Sequence, residues 1–354
     1  MIFVSTNDAV QEDELKEAEE ITSRPLTAFF IMIAGMAILL LMMGVSISLG
    51  AAEISLKTVW TSLINFDPAI TSHQIINELR MPRAIAGAFV GAFLAVSGAI
   101  MQGMTRNPLA DSSIMGVTNG SAFAIAVVFA FFPGTTFLGL MIASFIGAGF
   151  GAGLVFGIGS MSKGGLTPVK LALAGTAIGA FLNSISSAIA IHFDVAQDIS
   201  FWYAGGLVGT KWLSIQFVLP FAIGGLLLAL FISRSVTIIS LGEDVAKGLG
   251  QRTGLVKFLG VVVVLLLTGA AVSIAGTVGF IGLIIPHLTR FLVGVDYRFI
   301  IPCSAILGAL LLVMADIAAR MINPPFEIPV GVLTALLGVP FFLYIARKEG
   351  RGFM

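Results

Sequence analysis

Charged residues are scarce in this chain. They make up 11% of its 354 residues, whereas an ordinary soluble domain contains about 25%. Hydrophobic residues account for 57%, and the mean hydropathy is +1.04. This composition excludes a soluble domain and predicts a polytopic membrane protein in contact with lipid. The formal net charge is zero, so nothing indicates a nucleic-acid partner.

Residues and motifs typical of enzyme active sites are also scarce in this sequence. Cys303 is the single cysteine, which excludes an internal disulfide and a cysteine metal cluster. Three histidines, His73, His192 and His287, lie far apart in the sequence. The sequence contains no Gly-Lys dipeptide, so it has no Walker A loop for nucleotide phosphates, and it has neither H-E-x-x-H nor G-x-S-x-G. We therefore expect no catalytic residue, metal site or cofactor site in this chain.

Apolar segments fill most of the sequence, and each needs about 20 residues to cross the bilayer core. We predict an all-α protein with about ten transmembrane helices in one domain over residues 27–347. The predicted spans are 27–49, 83–104, 114–132, 137–158, 169–191, 213–233, 256–275, 279–294, 299–319 and 328–346.

The distribution of basic residues predicts the orientation of these spans. With the N-terminus inside, fourteen of the 19 basic residues are cytoplasmic or at that boundary. The other five fall outside: Lys57, Arg80, Arg83, Lys211 and Arg320. Because Lys and Arg concentrate on the cytoplasmic side, both termini are predicted inside. Residues 1–26 are then an acidic cytoplasmic extension without the basic start of a secretory signal, and residues 348–354 are a cytoplasmic tail.

The longest charged, glycine-punctuated break in the second half is residues 234–257, predicted to be a cytoplasmic loop. Ser240 and Glu243 have the S-x-x-E spacing of a capping box at a helix start. Leu241, Val245 and Leu249 recur every fourth residue and form one apolar stripe.

Gly250 is a plausible C-terminal stop for this helix. A helix of about ten residues is marginal alone in water, so it needs a surface to dock against. A solvated loop that merely joins two spans is the alternative.

Three arginines cluster on the outer side. Arg80 and Arg83 bracket Met81-Pro82 where the second span leaves the membrane, and Arg320 ends the ninth span. One interpretation is snorkelling to lipid head groups. The other is a basic rim that receives carboxylates from an external partner through charge-assisted hydrogen bonds.

Other patterns bear on packing and mechanism. Pro286 breaks a short span, so neighbouring groups must satisfy the freed backbone. Residues 50–79 carry Ile54, Val59, Trp60 and Leu63, which predict a helix at the outer interface. Glycines four apart predict close helix contacts: Gly87/Gly91, Gly147/Gly151, Gly149/Gly153 and Gly175/Gly179. Intramembrane acids are few, Asp316 and Glu327, which weakens an ion-coupled carrier as an alternative function.

Several motifs together resemble the permease subunits of FecCD-type (type II) ABC importers for ferric siderophores, haem and cobalamin. They run in the family's order from about residue 27 to the C-terminus. The matching stretches are Arg80-Met-Pro-Arg83, Ser97-Gly-Ala-Ile-Met-Gln102, Arg106-Asn-Pro-Leu-Ala110, Leu241-Gly-Glu243 through Leu249-Gly250, Gly279-Phe-Ile-Gly-Leu283, Pro286-His287, Arg290, Ala315-Asp316, Arg320, Glu327-Ile-Pro-Val-Gly331 and Gly338-Val-Pro-Phe341.

The resemblance implies the type II permease fold and several partners. A second permease, identical or paralogous, completes the central path, and a cytoplasmic ABC ATPase dimer binds ATP and Mg²⁺. An extracytoplasmic substrate-binding protein delivers the cargo. By position, the outer arginines Arg80, Arg83 and Arg320 match the sites that meet acidic residues of the binding protein. The residues that match the ATPase-coupling helix are Leu241, Gly242, Glu243, Asp244, Val245, Ala246, Leu249 and Gly250.

The predicted function is therefore the permease half of an ATP-driven importer in the bacterial cytoplasmic membrane. A ferric siderophore is the expected cargo, with haem or cobalamin as alternatives. Candidate path-lining residues are Met101, Gln102, Met104, Phe201 and Trp202. An ion-coupled secondary carrier is the rival from another class.

Overall fold

The computed structural model describes residues 23–50, 54–160, 168–204, 206–324 and 326–349, which form helices joined by short turns, with no strand among them. Residues 1–22 and 350–354, most of the predicted acidic extension and cytoplasmic tail, lie outside the described part. The helices are α1 (Pro25–Ser48), α2 (Leu56–Ile64), α3 (Thr71–Ile75), α4 (Met81–Thr105), α5 (Val117–Phe131), α6 (Phe137–Ser160), α7 (Pro168–His192), α8 (Ala196–Tyr203), α9 (Trp212–Leu241), α10 (Glu243–Gly248), α11 (Thr253–Ala275), α12 (Ile281–Val293), α13 (Tyr297–Met321) and α14 (Val330–Glu349).

Each of the ten predicted spans falls on one helix: α1, α4, α5, α6, α7, α9, α11, α12, α13 or α14. Within the described residues, seven helices are long and apolar enough to cross a membrane, counting α3 and α4 as one continuous helix. Helices α5 and α12 and the apolar part of α14 are shorter. The all-α, multi-pass architecture is confirmed, while the number of crossings and the orientation stay predictions.

Helix α4 is the centre of the bundle. In the continuous helix that contains α4, 89% of an apolar 18-residue stretch is buried, against 17% of the corresponding stretch in α1. It packs against α9, α11, α12 and α13. Small residues permit this approach: a side chain at Gly91 would collide with the backbone of Gly308, and one at Gly98 with that of Gly282.

The close helix contacts predicted from glycines four residues apart are present at some of these pairs and not at others. Gly147 and Gly151 of α6 meet the backbone of α5 at Gly120 and Gly116, so these close contacts are confirmed. A side chain at Gly149 or Gly153 would meet nothing within 4 Å, so these two glycines do not mark a contact within the chain.

The two ends of α4 define opposite ends of the bundle. Near its start, the Trp212 indole Nε1 donates to the Asn77 carbonyl (2.8 Å), which places the start of α9 there. At its far end, Arg106 lies beside Gly242, just before α10. Since α4 has 25 residues and rises ~1.5 Å per residue, these ends are about 37 Å apart.

A short helix forms in segment 50–79, as predicted. Helix α2 is capped by Ser55, whose Oγ accepts from the Thr58 N–H (3.1 Å). Val59 is buried, whereas Trp60 and Leu63 are exposed. The amphipathic helix is confirmed, and its place at the outer interface stays a prediction.

The predicted capping box of Ser240 and Glu243 is wrong. Ser240 lies in the last turn of α9, where its Oγ donates to the Thr237 carbonyl (2.7 Å). Helix α9 continues to Leu241 because Val236 and Ile239 are buried against the bundle and favour continuation. Gly242, at φ 143°, breaks it. Helix α10 consequently has six residues rather than about ten.

Candidate functional site

Three exposed apolar side chains form an edge on and beside α10. Leu241 ends α9, Val245 belongs to α10 and Leu249 follows α10 directly. They are 54%, 49% and 68% exposed, respectively. Ala246, on the opposite side, is fully buried and holds the helix on the bundle. The three side chains are exposed as predicted, but they do not form a stripe on one helix, because Gly242 separates Leu241 from α10. Neighbouring exposed apolar side chains are typical of a protein contact.

Gly250 terminates α10 as predicted. Its φ of 76° is left-handed, and its N–H donates to the Lys247 carbonyl while the Gln251 N–H donates to the Ala246 carbonyl, both at 2.9 Å. This pair of bonds is a Schellman motif, which favours glycine because a side chain is strained at that φ. The helix therefore ends at a defined point, with Leu249 immediately before it.

Ion pairs fasten α10 to the next helix. The Glu243 carboxylate accepts from Lys257 Nζ of α11 (2.7 Å) and lies 3.2 Å from Lys247 Nζ. The hydrogen bond from Lys257 and that from Lys247 hold the pKa of Glu243 below its ordinary value. Asp244, next to it, is exposed. The Glu243–Lys257 pair thus links α10 to α11.

At the opposite end of α4, two of the predicted docking arginines are buried. Arg80 Nη1 donates to the carbonyls of Ile47 (2.8 Å) and Ser48 (2.7 Å). Arg320 Nη1 donates to those of Ser46 (3.1 Å) and Leu49 (2.9 Å), and its Nη2 donates to Ser46 Oγ (2.7 Å). The final turn of α1 leaves these carbonyls without helical partners, so the two guanidinium groups cap it.

This capping role could not be read from the sequence, because α1 has no basic residue in its own last turn. The caps come from residues 32 to 274 positions away. The docking role of Arg80 and Arg320 stays a prediction.

Arg83 joins both intramembrane acids in one cluster. Its Nε and Nη2 donate to Asp316 Oδ1 (3.1 and 2.8 Å), and its Nη1 and Nη2 donate to Glu327 Oε1 and Oε2 (3.0 and 2.9 Å). Asp316 Oδ2 also lies 3.1 Å from Arg320 Nη2, an ion pair without hydrogen-bond geometry. The buried Asp316 is thereby paired with two arginines, as a buried charge requires, and the more exposed Glu327 is paired with Arg83.

A cavity of about 400 Å³ lies beside this cluster, and Arg83, Asp316, Glu327 and Trp202 contribute to its wall. The indole Nε1 of Trp202 is buried and has no hydrogen-bond partner among the described residues. The side chain of Phe201, the neighbouring candidate for the path, lies outside what the structure describes.

The other path candidates lie inside the chain. Met101, Gln102 and Met104 are between 1% and 8% exposed, packed between helices of the same bundle. Gln102 Nε2 donates to the carbonyls of Gly282 and Leu283, both at 3.2 Å, and its Oε1 accepts from Arg290 Nη2 (3.2 Å). These contacts assign the three residues an internal packing role, and their role in the path stays a prediction.

Helix α7 carries a polar face that sequence analysis missed. Thr176, Asn183, Ser184 and Ser187 are exposed, and their spacing puts them on one side. The opposite side is buried against α5, where Gly179 meets the Asn119 side chain. The available signal was the recurrence of polar residues every three or four positions in span 169–191. Polar groups on the outside of a membrane helix mark a protein contact or a water-filled path.

Comparison with known proteins agrees with these features. A profile of the FecCD transport family matches residues 38–348. The Iron(3+)-hydroxamate import system permease protein FhuB of Bacillus subtilis (strain 168) is 66% identical over 337 residues, 95% of this chain and 88% of that protein. The Iron-uptake system permease protein FeuB of the same organism is 48% identical over 305 residues, 86% of this chain and 91% of that protein.

A solved structure has the same fold. It is an inward-facing conformation of a metal-chelate type ABC transporter, which aligns with a TM-score of 0.79 at 30% identity. The alignment covers 90% of this chain and 99% of that one. The match extends over nearly all of the helical bundle.

Proposed function

This chain belongs to the FecCD transport family, and we propose that it is the permease subunit of an ATP-driven importer of ferric siderophores. It is a multi-pass protein of the cytoplasmic membrane. The observation that carries the proposal is the 66% identity, over 95% of the chain, to an iron(3+)-hydroxamate permease. A ferric hydroxamate is accordingly the expected cargo.

The geometry of α10 supports a contact with a separate ATPase. The end of α9, α10 and the residue after it together expose Leu241, Val245 and Leu249, and such an apolar surface fits an apolar groove of a partner. The ion pair from Glu243 of α10 to Lys257 then transmits movement to α11. ATP and Mg²⁺ bind to the ATPase dimer in this proposal, and the permease itself catalyses no covalent reaction.

The cargo path runs between this chain and a second permease. The exposed polar face of α7 supports this placement, because the Asn183 amide would be costly in lipid, whereas Thr176 and Ser184 donate to carbonyls of their own helix. Facing a second permease, Asn183 lines a wet path and offers hydrogen bonds to the oxygen atoms of a hydroxamate chelate.

An ion-coupled carrier fits the structure less well. Such a carrier needs acids that are free to bind and release protons or cations. Asp316 and Glu327 both accept hydrogen bonds from Arg83 instead. Uptake should therefore survive collapse of the ion gradients and stop on ATP depletion.

The test is co-purification from mildly solubilised native membranes. Wild type should bring down an ATP-binding subunit and Leu249→Arg should lose it, because a charge enters the apolar edge of α10. Leu63→Arg is the matched control, since Leu63 is also about half exposed but lies on α2 at the other end of the bundle. Uptake of a radioiron-labelled ferric trihydroxamate, beside haem and cobalamin, then identifies the cargo. If the wild-type protein purifies without any ATPase, the result contradicts the proposal of an ATP-driven importer.

A further inference from the structure

The hydrogen bonds of the three outer arginines limit how an acidic partner can dock on them. An arginine has five N–H donors. Arg320 uses four in hydrogen bonds within the chain, three of them to the end of α1. Arg80 is likewise held by carbonyls of α1. A partner carboxylate could bind the guanidinium groups of Arg80 and Arg320 only if their hydrogen bonds to the end of α1 were broken.

Most N–H donors of Arg83 are also occupied, but their acceptors are carboxylates rather than backbone carbonyls. Four of its donors are taken by two carboxylates of its own chain, Asp316 and Glu327. Among the described residues, no group accepts the second N–H of Nη1. Since the strongest carboxylate contact is a two-bond fork, an incoming carboxylate can form it only by displacing a resident one.

The two resident carboxylates are not equally replaceable. The Asp316 side chain is 3% exposed, belongs to helix α13 and also pairs with Arg320. The Glu327 side chain is 36% exposed and lies in the turn between α13 and α14. Removing Asp316 would leave buried arginine charge uncompensated, whereas Glu327 can swing into solvent.

We propose that Glu327 is a placeholder for the binding protein: it occupies the fork of Arg83 that an Asp or Glu side chain of that protein takes on docking. The adjoining cavity, which Trp202 also lines, has room for the incoming side chain. Because one carboxylate replaces another, docking is reversible and release restores the Glu327 contact. The inference rests on the proposed function.

The experiment measures docking of the binding protein that co-purifies with the wild-type complex, in lipid nanodiscs at low salt. Glu327→Gln should tighten docking by about threefold to tenfold, because a partly exposed competing ion pair is removed. Arg83→Gln should abolish docking, and Glu327→Gln should add nothing in that background. Glu327→Asp keeps the charge on a shorter side chain, so it should lie between wild type and Glu327→Gln.

Glu78→Gln is the matched control. It removes one exposed negative charge near the start of α4, so it reports the general electrostatic effect. Equal or weaker docking by Glu327→Gln overturns the placeholder, as does an equal gain in Glu78→Gln. Thermal unfolding of each variant shows whether it is folded. If Glu327→Gln does not fold, the docking affinity of Glu327→Asp relative to wild type decides the question. If no binding protein docks on wild type, the importer proposal itself fails and the placeholder with it.

Discussion

Gln102 donates a hydrogen bond to the backbone carbonyl of Gly282, 180 residues away. That carbonyl has no helical donor because the residue four positions later is Pro286, which lacks an N–H. The same amide accepts from Arg290 Nη2, which also donates to the Tyr297 hydroxyl (3.1 Å). One side chain thus satisfies the carbonyl that Pro286 leaves without a donor in α12, and it ties that helix to the central helix α4.

Gln102→Leu should destabilise the protein by about 1–3 kcal/mol, because it leaves a buried carbonyl and a guanidinium N–H unsatisfied. In a Pro286→Ala background the helix supplies its own N–H, so the same substitution should cost less. A double-mutant cycle of thermal unfolding in nanodiscs measures the difference. Equal costs in both backgrounds would show that the Gly282 contact contributes nothing.

Arg320→Gln should destabilise the protein by about 3–5 kcal/mol, the range for removing one partner of a buried ion pair. Amide exchange should rise at residues 46–49, the end of α1, since their carbonyls lose their donors. The control is Lys247→Gln, because the Lys247 side chain is 58% exposed and its partner Glu243 keeps the contact with Lys257, and it should change neither readout. Unchanged protection at 46–49 would contradict the capping role.

The orientation can be tested with single cysteines, because the native Cys303 is fully buried and should not react. Lys57→Cys on α2 should be labelled by a membrane-impermeant maleimide in intact spheroplasts. Lys247→Cys on α10 should be labelled only after the membrane is opened. The reverse pattern would overturn the predicted placement of both termini in the cytoplasm.

Asn183→Leu should lower siderophore uptake about tenfold, the effect of losing roughly 1.4 kcal/mol of polar contact in the path. ATPase co-purification should be unaffected, since α10 is untouched. Phe231→Leu, at an exposed position of α9, is the control and should transport normally. Normal uptake by Asn183→Leu would argue against α7 as the path lining.

The sequence by itself determined the properties that depend on neighbouring residues. Low charge and long apolar runs identified the ten segments that form helices, because burial of backbone in lipid requires helical hydrogen bonds. The apolar residues Leu241, Val245 and Leu249 located the exposed edge at α10, although Gly242 divides it between two helices, and Gly250 located its end. Ordered motifs from Arg80 to Phe341 identified the family that the comparisons then established.

The tertiary structure decided the roles that depend on distant partners. Ser240 has the spacing of a cap, yet the packing of Val236 and Ile239 carries α9 past it. The arginines of the outer cluster look free in the sequence, but Arg320 caps a helix 274 residues away and Arg83 holds acids 233 and 244 residues away. Periodicity describes one helix at a time. Which helices meet, and which side chains then satisfy each other's buried groups, depends on the packing of the whole bundle.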